Sequence, residues 1–522
     1  MKMIFAALGL FFGLVGLPMF VMSRDMWDGT VIEYASEIQN FIGLKAWFFE
    51  ASWFSQYYLS LTVITAAEMC GISYKAMNTV FVLIFMFVLL RETALFARDK
   101  LKFSQAATHY AVFLVASFSV WHVLFSSVML MHLGCLTFGM VCVRLTHQTQ
   151  TGKKVIGFIG LFVVFTLNSM LVFLPALSYL YDLVTEKDGK GSWIKKPGKQ
   201  TMVIFMAGLL FYSMVRNFFA PHAMYENYNN LIIFNKGGMF AFAKLGLQNV
   251  TFLYPLTVVV IFIAVVTFMS DMRKAPHNLL RIIPSPKRLS WLIGLFVAGF
   301  LPYIAVGKAE MLLRVYDWDS RQALVLAVPA ALITAYYVQF LFEHALNRYV
   351  KNCVLIGAAA IIIFQTGLLA KASLYKLNRQ VFVAQLEEAI GNHSSMPAPG
   401  LLEIVGEGIP YPEFRGYESN FLMYKATGKA DWWSRLARVE KKSFAIPCFI
   451  QQHERYQKNY VYNFEQQHLK NHTVMTIKAD GFIGFLPTLL NSFGIGRGGT
   501  VNIEKVEARA EKSPDALADC NK

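Results

Sequence analysis

Charge is scarce in this sequence. Of its 522 residues only 16% are charged while 56% are hydrophobic, and the mean hydropathy is +0.44; a soluble domain carries nearer a quarter of charged residues. A P-loop of the form GxxxxGKS/T is also missing. The glycines of "FGIGRGG" (493–499) precede a short strand pattern and no helix, so they fail the dinucleotide-binding context. Loops between the apolar runs are too short to fold a nucleotide-binding domain, which disfavours an ATP-driven pump or a nucleotide-sugar enzyme with a cytosolic catalytic domain. The six cysteines show no CxxC or Cys/His metal spacing. Cys70, Cys135, Cys142 and Cys353 fall in apolar segments and read as packing residues, whereas Cys448 and Cys520 could pair in an oxidising compartment. No convincing internal repeat of the kind common in transporters is present.

What the chain does have is a series of nearly charge-free runs. The clearest are "TMVIFMAGLLFYSMV" (201–215), "YPLTVVVIFIAVVTFM" (254–269), "WLIGLFVAGFLPYIAV" (291–306), "QALVLAVPAALITAYYVQFLF" (322–342) and "CVLIGAAAIIIFQTGLLA" (353–370). Runs of roughly 20 residues match the hydrocarbon core of a bilayer crossed as a helix. The N-terminal "MKMIFAALGLFFGLVGLPMFVM" is longer than a signal-peptide core and lacks a small-x-small cleavage site, so it reads as the first transmembrane helix. The expectation is an all-α polytopic membrane protein with roughly 10–13 transmembrane helices over residues 1–371. A small extracytoplasmic α+β domain with a disordered tip follows over 372–522.

The net charge of +15 would suggest nucleic acid in a soluble protein, but here Lys and Arg gather in short loops, as the positive-inside rule expects. No nucleic-acid partner is indicated. The basic stretches 91–102, 144–154, 187–199 and 272–288 belong on the cytoplasmic side, and the acidic loop 23–53 and the C-terminal portion on the other. Keeping every basic loop inside requires a re-entrant or broken helix in both 53–90 and 155–183, the latter broken near 168–169. The aromatic stretch 36–58 is either an amphipathic interfacial helix or a loop carrying an aromatic belt. In the last 150 residues "LNRQVFVAQLEEAI" reads as helix. "GLLEIVGEG", "FLMYKATG", "SFAIPCFI", "TVMTIKA" and "GTVNIEKVEA" read as strands, and "GFIGFLPTLLNSFGIG" (481–496) as a segment that touches the bilayer or fills the domain core.

Acids stand where the first span ends. In "SRDMWDG" Asp25 and Asp28 are three apart and share a face of any helical turn; either could act as general base or hold a divalent cation such as Mg or Mn, and Glu33 could join them. Their plainer role is to cap the next helix or to meet lipid headgroups. A second outer loop, "RVYDWDSRQAL", repeats the texture with Asp317 and Asp319, and Asp319 or Ser320 could instead N-cap the following span. Lys308, Arg314 and Arg321 lie at the same face, where guanidinium groups hold phosphate bidentately or anchor to headgroups by snorkelling. A third, "RNFFAPHAMYENYNN" (216–230), offers Arg216, His222 and Glu226 among aromatics suited to sugar. His122 reads as a packing residue, and Glu68, in an apolar run, as a secondary candidate.

The first third of the chain, with "RDMWDG" directly after a span, an aromatic juxtamembrane stretch and then "WFSQYYLSLTVITAAEMCGISYKAMNTVFVLIFMFVLLRE", resembles the GT-C superfamily of polytopic membrane glycosyltransferases. The resemblance covers about the first 130 residues and is architectural beyond them, without a long diagnostic signature such as WWDYG. It implies transfer of a sugar from a polyprenyl-phosphate-linked donor to a glycan or lipid acceptor on the extracytoplasmic face, with Asp25 or Asp28 as base or cation ligand. Family habit places such a protein in a bacterial inner membrane. A polymerase or ligase of lipid-linked oligosaccharides would rely on Arg216, Arg314, Arg321 and His222 instead. A lipid or solute transporter would keep its polar groups inside the bundle.

Overall fold

The N-terminal run forms one helix because nothing in it interrupts the backbone until Pro18, and Pro18 itself is accommodated. In the computed structural model, which describes residues 1–22, 24–167, 169–185, 198–218, 286–305, 318–344, 348–393, 396, 400–410, 416–429, 432–438, 472–495 and 499–508, helix α1 spans Lys2–Val21 with a π turn at Phe12–Gly16. A proline has no N–H to give the carbonyl four residues earlier; that carbonyl, on Leu14, instead accepts from the Ser373 hydroxyl. The freed acceptor thus becomes a link to a distant helix, as an apolar environment demands. Ile4, Ala7, Phe11, Val15 and Met19 face inward, whereas Phe5, Phe12 and Phe20 are exposed, the helical spacing of an apolar helix with one packed side and one lipid-type side.

Three shorter helices follow: α2 (Gly29–Glu37), α3 (Phe41–Glu50) and α4 (Phe54–Cys70). The aromatic stretch is therefore helical, with Trp47 and Phe48 buried and stacked on each other. Helix α4 ends on Gly71 in the left-handed conformation (φ 64°). Ser73 then caps the next helix by accepting from the Ala76 N–H, and α5 runs Tyr74–Lys100. The basic stretch 91–102 is thus largely the end of a helix, not a loop. Helix α6 (Gln105–Ala116) continues after a 41° bend into a 3-10 segment, Ser119–Phe125. A second 3-10 turn, Ser127–Met129, leads into α7 (Leu130–Thr146).

Helices α8 (Thr151–Val164) and α9 (Met170–Thr185) are separated at 165–169, where the break was expected. At 14 and 16 residues they extend only about 21 and 24 Å, short of a ~30 Å hydrocarbon core. Both outer ends return to one place: His147, just before α8, lies with Nδ1 3.7 Å from Asp182 near the end of α9, and Gly198 donates to the same Asp182. The pair is a hairpin that enters and leaves the bundle at the end carrying basic residues. Gly157 of α8 lets its helix approach the backbone of α7, since a Cβ there would stand 2.8 Å from the Cys142 carbonyl; small residues serve this purpose in helix–helix contacts.

Then come α10 (Lys199–Phe218), α11 (Pro286–Ala305), a 3-10 stretch Trp318–Leu326, α12 (Ala327–His344) and the 44-residue α13 (Arg348–Gly391). Among the described residues five helices are long and apolar enough to cross a membrane, with the bent α6 pair a sixth, and three apolar helices are shorter. The run 254–269 lies outside the described residues. The expected division at 371/372 falls inside α13, which passes from span to C-terminal domain without interruption.

The C-terminal domain is α+β. Strands β1 (Leu401–Glu407), β2 (Trp433–Arg438), β3 (His472–Asp480) and β4 (Thr500–Ala508) form one sheet in the order β2-β1-β3-β4, with β3 and β4 antiparallel and the other pairs parallel. A parallel β1–β2 pair needs a crossover, and "FLMYKATG", expected as a strand, belongs to the crossover helix α14 (Gly416–Thr427). Its Phe421, Leu422 and Met423 are all buried, a consecutive run that strand alternation would have split between two faces. The end of α13 packs Phe382, Leu386 and Ile390 with Leu402, Ile404, Met475 and Ile477 of the sheet. The expected strand 443–450 lies outside the described residues.

Candidate functional site

The loop after α1 is built around one carboxylate. Met22 leaves the helix in extended conformation, and the chain turns sharply: Gly29 N–H donates to the Met26 carbonyl, Thr30 N–H to that of Trp27, and Trp27 takes a left-handed φ of 50°. Inside the turn Asp25 accepts from its neighbour Met26 N–H at 2.8 Å and from Ser127 N–H at 3.2 and 3.3 Å. Lys75 Nζ completes the set at 2.8 Å, both side chains being almost wholly buried (3% and 0% exposed). The ammonium also donates to the Phe125 carbonyl. A Cβ on Gly29 would stand 2.5 Å from the Asp25 Oδ1, so the glycine of "RDMWDG" is required by the carboxylate packed against it.

Glu33, one turn into α2, turns back to the same place. Its Oε2 accepts from the Asp25 N–H at 2.6 Å. Burial first, and the negative charge of Asp25 second, push its carboxyl up to about 8; the hydrogen bond from the Asp25 N–H and the charges of Arg24 and Lys75 oppose the shift only in part. At neutral pH Glu33 is therefore mostly protonated beside an Asp–Lys pair. Two carboxyl groups with opposed environments are a common arrangement in acid–base sites.

The loop is fastened to the C-terminal domain. Glu418 Oε1 of α14 accepts from the Trp27 N–H at 2.8 Å and from Arg379 Nη2 at 2.6 Å. Arg24 forms a two-pronged pair with Glu387, and the Arg24 carbonyl accepts from Gln380. Lys376 Nζ sits 3.8 Å from the centre of the Trp27 ring, within cation–π range. Partners on α2, α5, α13, α14 and the 119–130 segment thus meet at one end of the bundle. Two buried polar side chains nearby, Thr30 (Oγ1) and Asn78 (both terminal atoms), have no hydrogen-bond partner among the described residues; Asn78 lies one turn beyond Lys75 on α5.

Of the residues expected at the site, Asp25 and Glu33 come together. Asp28 is half-buried at the N-cap of α2 and makes no side-chain cap bond. Arg321 is half-buried near His132 of α7, five residues past Ser127. Asp319 and Ser320 sit within the 3-10 stretch, not at the N-cap of α12, because that stretch delays the helix to Ala327. Arg216 lies near the end of α10; His222, Glu226, Lys308, Arg314 and Asp317 are outside the described residues. Glu68 is exposed in the last turn of α4, and His122 is fully buried. Sequence reasoning missed Lys75, Ser127, Lys376, Arg379 and Glu418. For Lys75 a signal existed: a cation at the start of an apolar run calls for a partner.

A divalent cation fits this cluster poorly. Lys75 already holds the position such an ion would take on Asp25, and Glu33 in its protonated form is a weak ligand. Among the described residues no group of three or more His, Cys, Asp or Glu side chains is arranged for a metal. Compared with known proteins, the chain matches no family model and no curated protein.

Proposed function

We propose that this protein is a membrane glycosyltransferase that moves a sugar from a polyprenyl-phosphate-linked donor to a glycan or lipid acceptor at the extracytoplasmic face. The observation that supports this best is the Asp25–Lys75 pair with Glu33 beside it, at the lip of the first span. A lipid-anchored donor presents its phosphate only at that depth, and the three groups match what the transfer requires. The acceptor hydroxyl attacks the anomeric carbon while the bond from that carbon to the phosphate oxygen breaks. Asp25 takes the hydroxyl proton, and Lys75 stabilises the departing phosphate.

In the resting protein the two neutralise each other and Asp25 is closed to solvent. Arrival of the phosphate draws the ammonium away and frees the carboxylate, so the base is unmasked only with a donor in place. Glu33 donates a hydrogen bond in its protonated form, and Asn78 and Thr30, without a hydrogen-bond partner among the described residues, supply bonds to sugar hydroxyls. Arg321 and the outer-loop residues Asp28, Lys308, Arg314, Asp317, Asp319, Arg216, His222 and Glu226 belong to the acceptor and phosphate approach in this reading. The membrane would be a bacterial inner membrane with the C-terminal domain outside the cytoplasm.

The test is sugar transfer in membranes from a labelled polyprenyl-phosphate sugar. Asp25→Asn, checked for folding by size-exclusion profile, is expected to lose at least ~100-fold in rate, the usual scale for a general base. Full transfer by a folded Asp25→Asn protein would refute the assignment. Loss at the outer-loop arginines alone would favour the polymerase or ligase.

A further inference from the structure

The turn and helix that follow β3 expose apolar side chains in a row. Helix α15 (Phe485–Ser492) leaves Leu486 60% exposed, and its flanks leave Ile483, Phe493 and Ile495 between 60% and 64% exposed. Leu486 and Phe493 are seven residues apart, two helical turns, and lie on one side. Asn491, on the opposite side, is buried. Large apolar groups do not gather on a water-facing surface without a partner.

What fixes the partner is the height of α15 on α13. Ser492 Oγ donates to the Leu374 carbonyl at 2.9 Å. Asn491 Nδ2 donates to Asn378 Oδ1 at 2.9 Å, and Asn378 Nδ2 to the Phe482 carbonyl at 3.0 Å. The uncharged run of α13 ends at Ala370 and Lys371 follows. Leu374 is four residues past that end, about 6 Å along the helix. Within the run Ile356 and Ile363 are about 70% exposed, as lipid-facing residues are. The apolar row of α15 is therefore held at the depth where the spans end. Interfacial helices bury their apolar face ~5–10 Å into the headgroup and acyl boundary.

We propose that residues 483–495 are a membrane-surface anchor, seating the C-terminal domain on the bilayer so that the sheet cannot rock relative to the spans. The lipid acyl region is the partner, and zwitterionic lipid suffices because the contact is apolar. The proposal is independent of any sugar-transfer activity. It assigns the segment read at 481–496 to the bilayer surface, while Phe482 contributes to the domain core.

The full-length protein is reconstituted in phosphatidylcholine vesicles with a spin label at Leu486→Cys or Phe493→Cys, exposed native cysteines having been replaced. Glu504→Cys on β4 is the water-facing control. Collision with oxygen is expected to rise, and with a water-soluble nickel chelate to fall at least threefold, at 486 and 493 relative to 504. Equal nickel access at all three positions would overturn the proposal. So would low access to both reagents at 486 and 493, which would mean another protein segment or a second copy covers them. Leu486→Glu with Phe493→Glu gives a second reading: the segment labelled at Ile495→Cys, itself exposed and apolar, should then lose its oxygen preference, while an unchanged preference would also count against the anchor.

Discussion

Each end of the helical bundle buries a carboxylate, and the two are treated differently. At one end Glu92 is 2% exposed and is shared by two arginines, Arg144 at 2.5 and 3.1 Å and Arg91 at 3.1 Å; both arginines reach partly into water. At the other end Asp25 has a single cation among the described residues, Lys75, and neither is open to solvent. A guanidinium pair is a clamp: three N–H groups meet the two oxygens of one carboxylate, and one arginine stays if the other leaves. A lone ammonium buried against a lone carboxylate is balanced instead. Drawing the ammonium away leaves that carboxylate buried and uncompensated, so an incoming anion has to attract Lys75 at least as strongly as Asp25 does. Glu33 adds to the contrast, since no second acid crowds Glu92 in this way among the described residues.

Lys75→Met should have the largest effect on this difference. It leaves the Asp25 carboxylate buried against two N–H groups with no cation, a change that costs about 3–5 kcal/mol. Asp25→Asn with Lys75→Met should recover most of that loss, because both charges are then gone. Thermal unfolding in detergent, read as a double-mutant cycle, measures the coupling. If Lys75→Met unfolds no more easily than the wild type, the two ends are alike and the comparison fails. Arg144→Gln comes next, at about 2 kcal/mol, because Arg91 stays on Glu92 and water reaches the gap.

Glu33 sharpens the comparison through pH. Its carboxyl is raised in the folded protein from 4.5 to about 8, so the protonated form is the one the fold prefers. Its contribution is whole below about 4.5 and declines as pH rises, because the unfolded chain ionises freely while the folded one resists. Between those limits the slope is ~1.4 kcal/mol per pH unit, flattening above about 8. Unfolding midpoints taken from pH 5 to 8 should therefore drop for the wild type and drop less for Glu33→Gln. Identical slopes would mean that Glu33 is ionised in the fold.

Much of this architecture is written in local patterns. The spans are visible as uncharged runs, the α8–α9 break as a segment too long for one crossing, and three of the four strands as β-branched alternation. The helix at 416–427 was misread because "FLMYKATG" is apolar and short, where periodicity cannot separate a strand from a buried helix turn. Asp25 and Glu33 stood out because acids at a membrane edge are conspicuous. Their partners did not: Lys75 is 50 residues away, Ser127 is 102 away, and Glu418 meets Trp27 across 391 residues. Such pairings depend on how helices lie side by side, and a single sequence carries no local mark of that.

The bridge between Lys425 of α14 and Glu37 of α2 is the weakest link in the same region and so the finest probe of the contrast. It joins the first loop to the C-terminal domain, as Glu418 does, yet both partners are 25–30% exposed, and water screens them. Lys425→Ala should cost under about 1 kcal/mol and fade as salt is raised. Glu418→Gln removes the charge that faces buried Arg379 and should cost several times more at any salt concentration. The two substitutions test whether burial or mere proximity to the loop sets the energy. A Lys425→Ala loss equal to that of Glu418→Gln, insensitive to salt, would show that position on the loop matters and that the buried pairs have no special standing.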